Sequence, residues 1–513
     1  MPAAASPGLR ARPRRGAHFV ATERDTTVWV RRVLPHLPVT VLMVAYTLRF
    51  ATLSVAVHDG YGTPPYDMAL FDQGIWLLSR FHNPFVTVMG RNLFGDHTCF
   101  ILLLVVPLFW IYPHAQGLLV LQACVLAAAG IPLYLLGRRL LRSSVLATAL
   151  VGVYLLNPAL QNGNLEQFHP ESLMVLALAT ALYAAVDWRP RLFAVAAAAV
   201  LLCKQDTALL VVPLGLWVAW RRDRRWGLAV AAAAVAWMAI AFYVVIDAFL
   251  GTTSFNSVRI PFGGFTGTIR TILGHPATFW HYLRSQGRGF YLWQMGSSVG
   301  WGFLIAPEVA AIAVLTFAEN ELADFIYMHQ IIYHYSMPLV PVLVAGTIVA
   351  IGRLATARRR QVATGVVTAS AVIACALWGL APFSRQTYPH LSTSDPEVVA
   401  IDTVLRALPP NAVVSAYYPY VSHIDHRTRI YMWPTPFAAS YWGLYHQEGQ
   451  RLPFADQIQY LVLPTDLIGS DASTFAGIAT QYRVVTEDDG VALYQKVAGA
   501  PPGPVVSQVA PPG

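Results

Sequence analysis

The sequence predicts an all-α polytopic membrane protein that ends in a small α/β domain. Of its 513 residues, 56% are hydrophobic and only 12% are charged, whereas a soluble domain has about 25% charged residues. Apolar stretches long enough for a bilayer core of ~30 Å recur as far as residue 380. After Pro382 the pattern changes to short alternating segments.

Arginine clusters set the predicted orientation. They lie between the apolar stretches at 10–15, 138–142, 221–225 and 358–360, and positively charged loops favour the cytoplasmic side. The basic N-terminal segment 1–37 is therefore predicted to be cytoplasmic. The net charge of +8 follows from these clusters and does not indicate a nucleic-acid partner.

The first predicted span, residues 38–57, runs outward and leaves a long outer loop at 58–98. The next apolar stretch, 99–113, is short and contains Pro107. If it crossed the membrane, the cluster at 138–142 would lie outside. We therefore expect 99–113 to be a re-entrant or interfacial helix, followed by a second span at 115–137.

The count of spans depends on one ambiguous region. Residues 290–317 are apolar but are interrupted by Gly300, Gly302 and Pro307. This pattern predicts either one span or two short ones. With this region included, the sequence predicts about nine to eleven spans within a membrane domain at 38–382. The other spans are expected at 144–160, 172–186, 191–203, 207–220, 227–249, 337–352 and 362–380.

Residues 383–498 predict the α/β domain, which is extracytoplasmic by the parity of the spans. An amphipathic helix is expected at 395–408. Five short strands follow in "AVVSAYY", "RIYMW", "QYLVLP", "YRVVTE" and "VALYQ". The tail 499–513 is rich in Pro and Gly, which predicts disorder.

No cofactor is predicted. The four cysteines include no CxxC pair, which argues against a disulfide framework or a zinc site. The histidines and acids also lack a metal-ligand spacing. A divalent metal therefore stays open, without a ligand motif to support it.

The predicted topology collects ionisable residues from several loops on the outer side of the membrane. Such groups are costly at membrane depth and tend to face a cavity or one another. We therefore expect a shared functional cavity. Its candidate residues are Asp67, Asp72, Asp96, His97, His169, Glu171, Lys204, Asp206 and His334.

Two of these acids lie in one short stretch, "YDMALFDQGIW". Asp67 could cap a helix that begins near Met68, or it could be free for chemistry. Asp72 follows five residues later, about 140° around a helix, so the two acids cannot share a face. An interfacial helix at 68–80 would expose Asp72 and Gln73.

Six stretches together resemble a known family. They are "YDMALFDQGIW", "GDHTCFILLLVVPLFWIYP", "LLVLQACVLAAAGIPLYLLGRRLL", "NGNLEQFHPESL", "KQDTALL" and "YHYSMPLVP". Over about residues 40–350, the chain resembles an uncharacterised family of bacterial membrane proteins with a domain of unknown function. That family in turn is similar to the GT-C superfamily of membrane glycosyltransferases.

The resemblance implies a GT-C-like fold with two juxtamembrane helices in the long first outer loop. It implies transfer of a sugar from a polyprenyl-phosphate donor to an envelope glycan, lipid or protein acceptor, outside the cytoplasmic membrane of a bacterium. An acid near the start of that loop would be the catalytic base, by position Asp67, with Asp72 as second choice. The other candidates would bind substrate. The sequence departs from the superfamily in having no DE or DxD pair there.

Two other classes of function remain. A transporter or lipid flippase should show internal repeats and broken helices at the midplane of the membrane, and the sequence shows no internal repeat. A non-enzymatic envelope scaffold or sensor would bind a ligand through the small outer domain, and it would need no acid at the membrane edge with a cation opposite.

Overall fold

The computed structural model describes residues 34–251, 259–442 and 446–499. It confirms the predicted class: a bundle of mostly apolar helices is followed by a small five-stranded sheet with one flanking helix. Most of the basic N-terminal segment and nearly all of the Pro/Gly-rich tail lie outside the described residues.

The first half of the chain is almost entirely helical. One short hairpin interrupts it, made by β1 (Phe85–Val86) and β2 (Arg91–Asn92). The helices are α1 (Leu37–Asp59), α2 (Pro65–Ser79), α3 (Leu93–Asp96), α4 (Val106–Ile111), α5 (Ala115–Ala128), α6 (Gly130–Leu141), α7 (Ser144–Leu155), α8 (Pro158–Glu166), α9 (Glu171–Val186), α10 (Pro190–Leu201), α11 (Ala208–Arg221), α12 (Arg224–Ile240) and α13 (Asp247–Leu250).

The second half adds shorter helices and then the sheet. The helices are α14 (Phe265–Gly274), α15 (Pro276–Leu283), α16 (Arg288–Ser297), α17 (Pro307–Ala310), α18 (Val314–Leu322), α19 (Leu339–Gly352), α20 (Ala357–Trp378), α21 (Pro396–Arg406) and α22 (Gly469–Ala476). The strands are β3 (Val414–Ala416), β4 (Ile430–Met432), β5 (Tyr460–Pro464), β6 (Tyr482–Asp488) and β7 (Val491–Lys496).

Five helical stretches in the described residues are long and apolar enough to cross a membrane. The pair α7 and α8, bent by 48°, makes a sixth if it counts as one span. Helices α9, α10 and α11 are apolar but shorter. The predicted nine to eleven crossings therefore depend on these three helices, and that count stays a prediction. The five long stretches are Leu34–Asp59, Ala115–Leu141, Arg224–Leu250, His334–Gly352 and Ala357–Trp378.

The stretch 99–113 is too short to span a bilayer. It forms a 3-10 turn and α4, and Trp110 donates its indole N–H to the carbonyl of Ser79 at 2.9 Å. Leu104 and Ile111 are exposed. This geometry fits the predicted interfacial or re-entrant segment.

The ambiguous region 290–317 is a broken hairpin. Helix α16 ends at a tight turn, where Gly300 and Trp301 have positive φ angles of 58° and 54°. A 3-10 turn, α17 and α18 then return. A Cβ on Gly302 would lie 2.7 Å from Cγ2 of Thr347, so glycine allows the hairpin to pack closely on α19.

Two helices, α14 and α15, form most of the segment between residues 259 and 287. Helices α14 and α15 expose large apolar side chains: Phe265, Ile269, Leu273 and Trp280. Helices with one exposed apolar face are typical of a membrane surface.

All five predicted strands of the C-terminal part form, with the order β4-β3-β5-β7-β6. Strand β3 pairs in parallel with β4 and β5, while β7 pairs antiparallel with β5 and β6. The predicted helix at 395–408 is α21, which packs on β6 and β7. The alternation of apolar and polar residues allowed these elements to be predicted from the sequence.

The C-terminal part packs directly on the first loop, so both lie at the same end of the bundle. Thr87 donates its hydroxyl to the carbonyl of Ile430 at 2.7 Å, and Tyr61 donates to Asp402 at 2.7 Å. The side-chain amide of Gln73 donates to the carbonyl of Arg427 at 2.9 Å.

Candidate active site

A polar pocket lies at this end of the bundle, where α2 meets the ends of several bundle helices. Its lining residues come from five separate segments of the chain. They include six of the nine predicted site residues. The lining is Tyr66, Asp67, Phe71, Asp96, His97, His169, Glu171, Arg259, His334 and Tyr335.

Asp67 lies in the first turn of α2 with its carboxylate free of any capping role. The helix begins after Pro64, and no side chain caps it from that position. The amide of Met68 instead donates to Oε1 of Gln167 at 2.8 Å. The capping interpretation of Asp67 is therefore wrong, because the helix begins at Pro65 and Asp67 is its third residue rather than its N-cap.

His169 holds Asp67 in its charged form. Its Nε2 lies 3.4 Å from Oδ2 of Asp67, while its backbone amide donates to Oε1 of Gln122 at 2.9 Å. Burial would raise the pKa of Asp67, but contact with the His169 imidazolium outweighs it and lowers that pKa. Burial would lower the pKa of His169, but Asp67 and Glu166 raise it to about 9.

Of the acids that line the pocket, Asp67 is the most accessible. Its side chain is 23% exposed, against 10% for Asp96 and 7% for Glu171. A substrate that enters the pocket can therefore reach the Asp67 carboxylate before the other two.

His334 stacks on His169 and joins it to two glutamates. The ring centroids are 3.7 Å apart, with 21° between the planes. Nδ1 of His334 lies 3.1 Å from Oε2 of Glu166, and its Nε2 lies 3.8 Å from Oε1 of Glu171. Two carboxylates, those of Glu166 and Glu171, therefore face the stacked imidazole pair.

Lys204 forms ion pairs with two acids. Its Nζ lies 3.0 Å from Oε1 of Glu171 and 3.8 Å from Oδ2 of Asp206. Burial would lower the pKa of Lys204, but Asp206 and Glu171 raise it above its ordinary value. Lys204 is thus a buried structural cation beside the pocket, in a cavity that Glu171 and Tyr335 share with it.

That neighbouring cavity also contains Glu319. Burial, together with the nearby charge of Asp206, raises the pKa of Glu319 to about 8. Glu319 can therefore carry a proton at neutral pH.

Asp96 and His97 close another side of the pocket. Asp96 accepts from the Arg91 guanidinium at 2.7 Å and lies 3.6 Å from Nε2 of His97. Burial lowers the pKa of His97, so a neutral imidazole faces the pocket, and Gln205 contacts its Nδ1 at 3.2 Å. A neutral imidazole can hydrogen-bond a sugar hydroxyl as donor or acceptor.

Arg259 brings a positive charge to the pocket. Its guanidinium lies over the ring of Phe325, 4.9 Å from the centroid, and makes no ion pair among residues 34–251, 259–442 and 446–499. Of the four arginines at 259–288, Arg259 is the one that lines this pocket. Arg288, by contrast, is buried and donates to backbone carbonyls, including that of Ala323.

Asp72 lies outside the pocket, where α2 contacts the C-terminal part. It is 1% exposed, and Nε2 of His426 lies 3.1 Å from its Oδ1. The expectation that Asp72 and Gln73 face solvent is wrong, because the C-terminal part covers that side of α2. The structure thus brings eight of the nine candidates to the pocket and its neighbouring cavity, and leaves Asp72 apart.

Glu166, His169 and His334 could be considered as metal ligands, since one donor atom of each lies within 4.8 Å of the others. Nε2 of His169 is directed instead at Oδ2 of Asp67, 3.4 Å away, and the two imidazole rings stack face to face. We therefore assign no metal to this group.

Sequence reasoning missed Gln167 and the two tyrosines of the pocket, Tyr66 and Tyr335. Gln167 lies within the stretch "NLEQFHPE", but its role depends on Met68, which is 99 residues earlier. A tyrosine at position 335 is also typical of a membrane interface. Its contact with Lys204, whose Nζ lies 5.3 Å from the ring centroid, could not be predicted from the sequence.

Two solved structures of ArnT from Cupriavidus metallidurans are similar to the chain at low identity. The one bound to undecaprenyl phosphate has 11% identity and a TM-score of 0.49, covering 90% of this chain and 99% of that one. The apo structure has 13% identity and a TM-score of 0.47, covering 93% and 100%. No curated protein sequence matches the chain.

A sequence family described as "Predicted membrane protein (DUF2079)" matches residues 62–493. The match extends past residue 350, where the resemblance to an uncharacterised membrane-protein family was expected to end, and includes the C-terminal sheet. Because it covers most of the chain, the predicted membership is confirmed: the protein belongs to the DUF2079 family of predicted membrane proteins.

Proposed function

We propose that the protein is a membrane glycosyltransferase that moves a sugar from a polyprenyl-phosphate donor to an acceptor hydroxyl, with Asp67 as the base. The observation that carries the proposal is the state of Asp67. Its carboxylate is charged, accessible and without a capping role, in a pocket that also contains Arg259.

The reaction requires one bond to form and one to break. The acceptor oxygen attacks the anomeric carbon while its proton moves to Asp67. The bond between the anomeric carbon and the phosphate oxygen breaks, and the polyprenyl phosphate leaves with the electron pair. His169, 3.4 Å from Asp67, orients the carboxylate and keeps it charged before the proton arrives.

The leaving phosphate needs a cation, and we assign Arg259 to it. A guanidinium binds phosphate with charge-assisted hydrogen bonds. Lys204 is the other cation near the pocket, but its ion pairs with Glu171 and Asp206 occupy it. His97, Asp96 and His334 remain as candidates for binding sugar hydroxyls.

The position of the site favours an enzyme over a transporter. The polar residues lie at helix ends: Asp67 is in the first turn of α2, Glu171 begins α9, and Lys204 lies between α10 and α11. A transporter binds its substrate near the membrane midplane, at broken helices. The acceptor class, whether glycan, lipid or protein of the envelope, remains part of the proposal.

The test compares Asp67→Asn with Asp59→Asn in purified protein reconstituted in lipid. Asp59 lies at the end of α1 and accepts from Gln116 at 2.9 Å, outside the pocket. Radiolabelled polyprenyl-phosphate sugars are offered with envelope extracts as acceptors. Asp67→Asn should lower transfer by about 10²- to 10⁴-fold, while Asp59→Asn should keep the rate of the unmodified protein.

Equal transfer by Asp67→Asn and the unmodified protein would remove Asp67 from the reaction. Failure of the unmodified protein to use any polyprenyl-phosphate sugar would contradict the donor class. Binding of undecaprenyl phosphate, measured in parallel, shows whether Asp67→Asn keeps the donor site intact.

A further inference from the structure

The interface between α2 and the C-terminal part buries two carboxylates and an imidazole side by side. Asp72 is 1% exposed and Asp425 is 2% exposed. Nε2 of His426 lies 3.1 Å from Oδ1 of Asp72 and 4.0 Å from Oδ1 of Asp425. One donor atom from each of the three residues lies within 4.8 Å of the others.

Two acids of this cluster are buried against each other. Burial and the nearby charge of Asp72 raise the pKa of Asp425 well above its ordinary value. Arg427, the residue after His426, donates to the carbonyls of Ile424 and Ala412, and among the described residues no donor reaches the buried Oδ2 of Asp425. Two such facing acids are relieved either by a proton that they share or by a metal ion that both bind.

The spacing of the donor atoms suits a metal ion. Two ligand atoms that each lie ~2.0–2.2 Å from a tetrahedral metal ion are about 3.4 Å from one another. This separation falls between the distances from His426 Nε2 to Asp72 and to Asp425, which are 3.1 Å and 4.0 Å. The imidazole is held in place, since its ring lies 5.8 Å from that of Trp76, nearly parallel, and 5.7 Å from that of Phe109. Such packing holds the imidazole nitrogen in position.

We propose that Asp72, Asp425 and His426 bind a divalent transition ion, Zn²⁺ or Mn²⁺, that joins α2 to the C-terminal part. Imidazole and carboxylate together suit these ions, while purely oxygen ligands would favour Mg²⁺ or Ca²⁺. The inference does not depend on the proposed transfer reaction. Because α2 also carries Asp67, the ion would hold the helix that presents the base.

The test measures metal in the purified full-length protein after removal of its affinity tag. The protein is stripped with chelator, dialysed against Zn²⁺ or Mn²⁺ separately, and analysed by mass spectrometry for metal content. The unmodified protein should retain about one equivalent of one of these ions more than Asp425→Asn. The ion should also raise the Tm of the unmodified protein and leave that of Asp425→Asn unchanged.

The control is His334→Gln, which alters the other cluster of histidines and acids. It should keep the bound ion. Loss of the ion in His334→Gln but not in Asp425→Asn, or equal metal content in the unmodified protein and Asp425→Asn, would overturn the proposal.

Folding of Asp425→Asn is checked in chelator. There its Tm should equal or exceed that of the unmodified protein, since the amide replaces one of two acids that are buried against each other. If this variant does not fold, His426→Gln takes its place, and retention of the ion by that variant would count against the site.

Discussion

At the scale of single residues, the site depends on an acid in the first turn of α2 and on the histidine that orients it. The helix begins two residues before Asp67, so Asp67 is not its N-cap, and the amide of Met68 donates to Gln167. His169 faces the Asp67 carboxylate at 3.4 Å. An acid near a helix start can therefore serve as a base here, because it does not cap the helix.

The His169–Asp67 pair predicts a pH dependence of stability. The pKa of His169 is raised to about 9 from about 6.5 in an unfolded chain. Its contribution, on the order of 3 kcal/mol, is fully present below about pH 6.5 and is lost as the pH rises through 9. The Tm of the unmodified protein should fall between pH 7 and pH 10.

The control for this measurement is His169→Gln, whose Tm should be lower at pH 7 and depend less on pH over the same range. If both proteins lose the same number of degrees between pH 7 and pH 10, the titration belongs to other groups.

Arg259 gives a second prediction at this scale. Arg259→Gln should weaken the binding of undecaprenyl phosphate by about 10- to 100-fold, as expected for loss of a charge-assisted hydrogen bond. The matched control is Arg270→Gln, since Arg270 is exposed on α14. Isothermal titration in detergent micelles measures both, and equal affinities would show that Arg259 does not bind the phosphate.

At the scale of elements, α2 presents two different faces to two different neighbours. Its start contributes Asp67 to the pocket, and its middle packs Asp72 and Gln73 against the C-terminal part. The β1–β2 hairpin extends this contact. Gly90, between the two strands, has a φ of 62° and lies against the ring of Trp442.

Gly90→Ala should destabilise the protein by about 1–3 kcal/mol. A Cβ at Gly90 would lie 2.5 Å from Cε2 of Trp442, and the positive φ adds strain. The matched control is Gly289→Ala in α16, where a Cβ would meet nothing within 4 Å and alanine should be neutral or slightly stabilising. Chemical or thermal unfolding of both variants gives the comparison, and a neutral Gly90→Ala would contradict the described packing.

At the scale of the whole molecule, the pocket, the first loop and the C-terminal part occupy one end of the helix bundle. Several basic residues lie at the opposite ends of the helices, among them Arg138 and Arg139 in the last turn of α6 and Arg221 in the last turn of α11. From the positive-inside rule we expect the pocket end to lie outside the cytoplasm.

Cysteine labelling tests this orientation. In a Cys124→Ser background, which removes the exposed native cysteine, Ser470→Cys on α22 should react with an impermeant maleimide in intact cells. Arg224→Cys, at the start of α12, should react only after the cells are permeabilised. The opposite pattern would invert the topology.

The long apolar helices and the five strands could be predicted because each depends on local composition and periodicity. The contacts that define the site could not. The amide of Met68 donates to a residue 99 positions away, and His426 is 354 positions from Asp72. Only the expectation that outer polar residues would converge, which rests on the cost of burying charge, pointed to the pocket.

The contact between α2 and the C-terminal part also affects the order in which the protein is assembled during its synthesis. Thr87 and its partner Ile430 are separated by 343 residues, so the ribosome synthesises the first loop long before the sheet that covers it. Until the ribosome completes the sheet, α2 is supported only from the bundle side. A nascent or truncated chain would therefore present an unfinished pocket, and translation of the last hundred or so residues acts as the final assembly step of the protein.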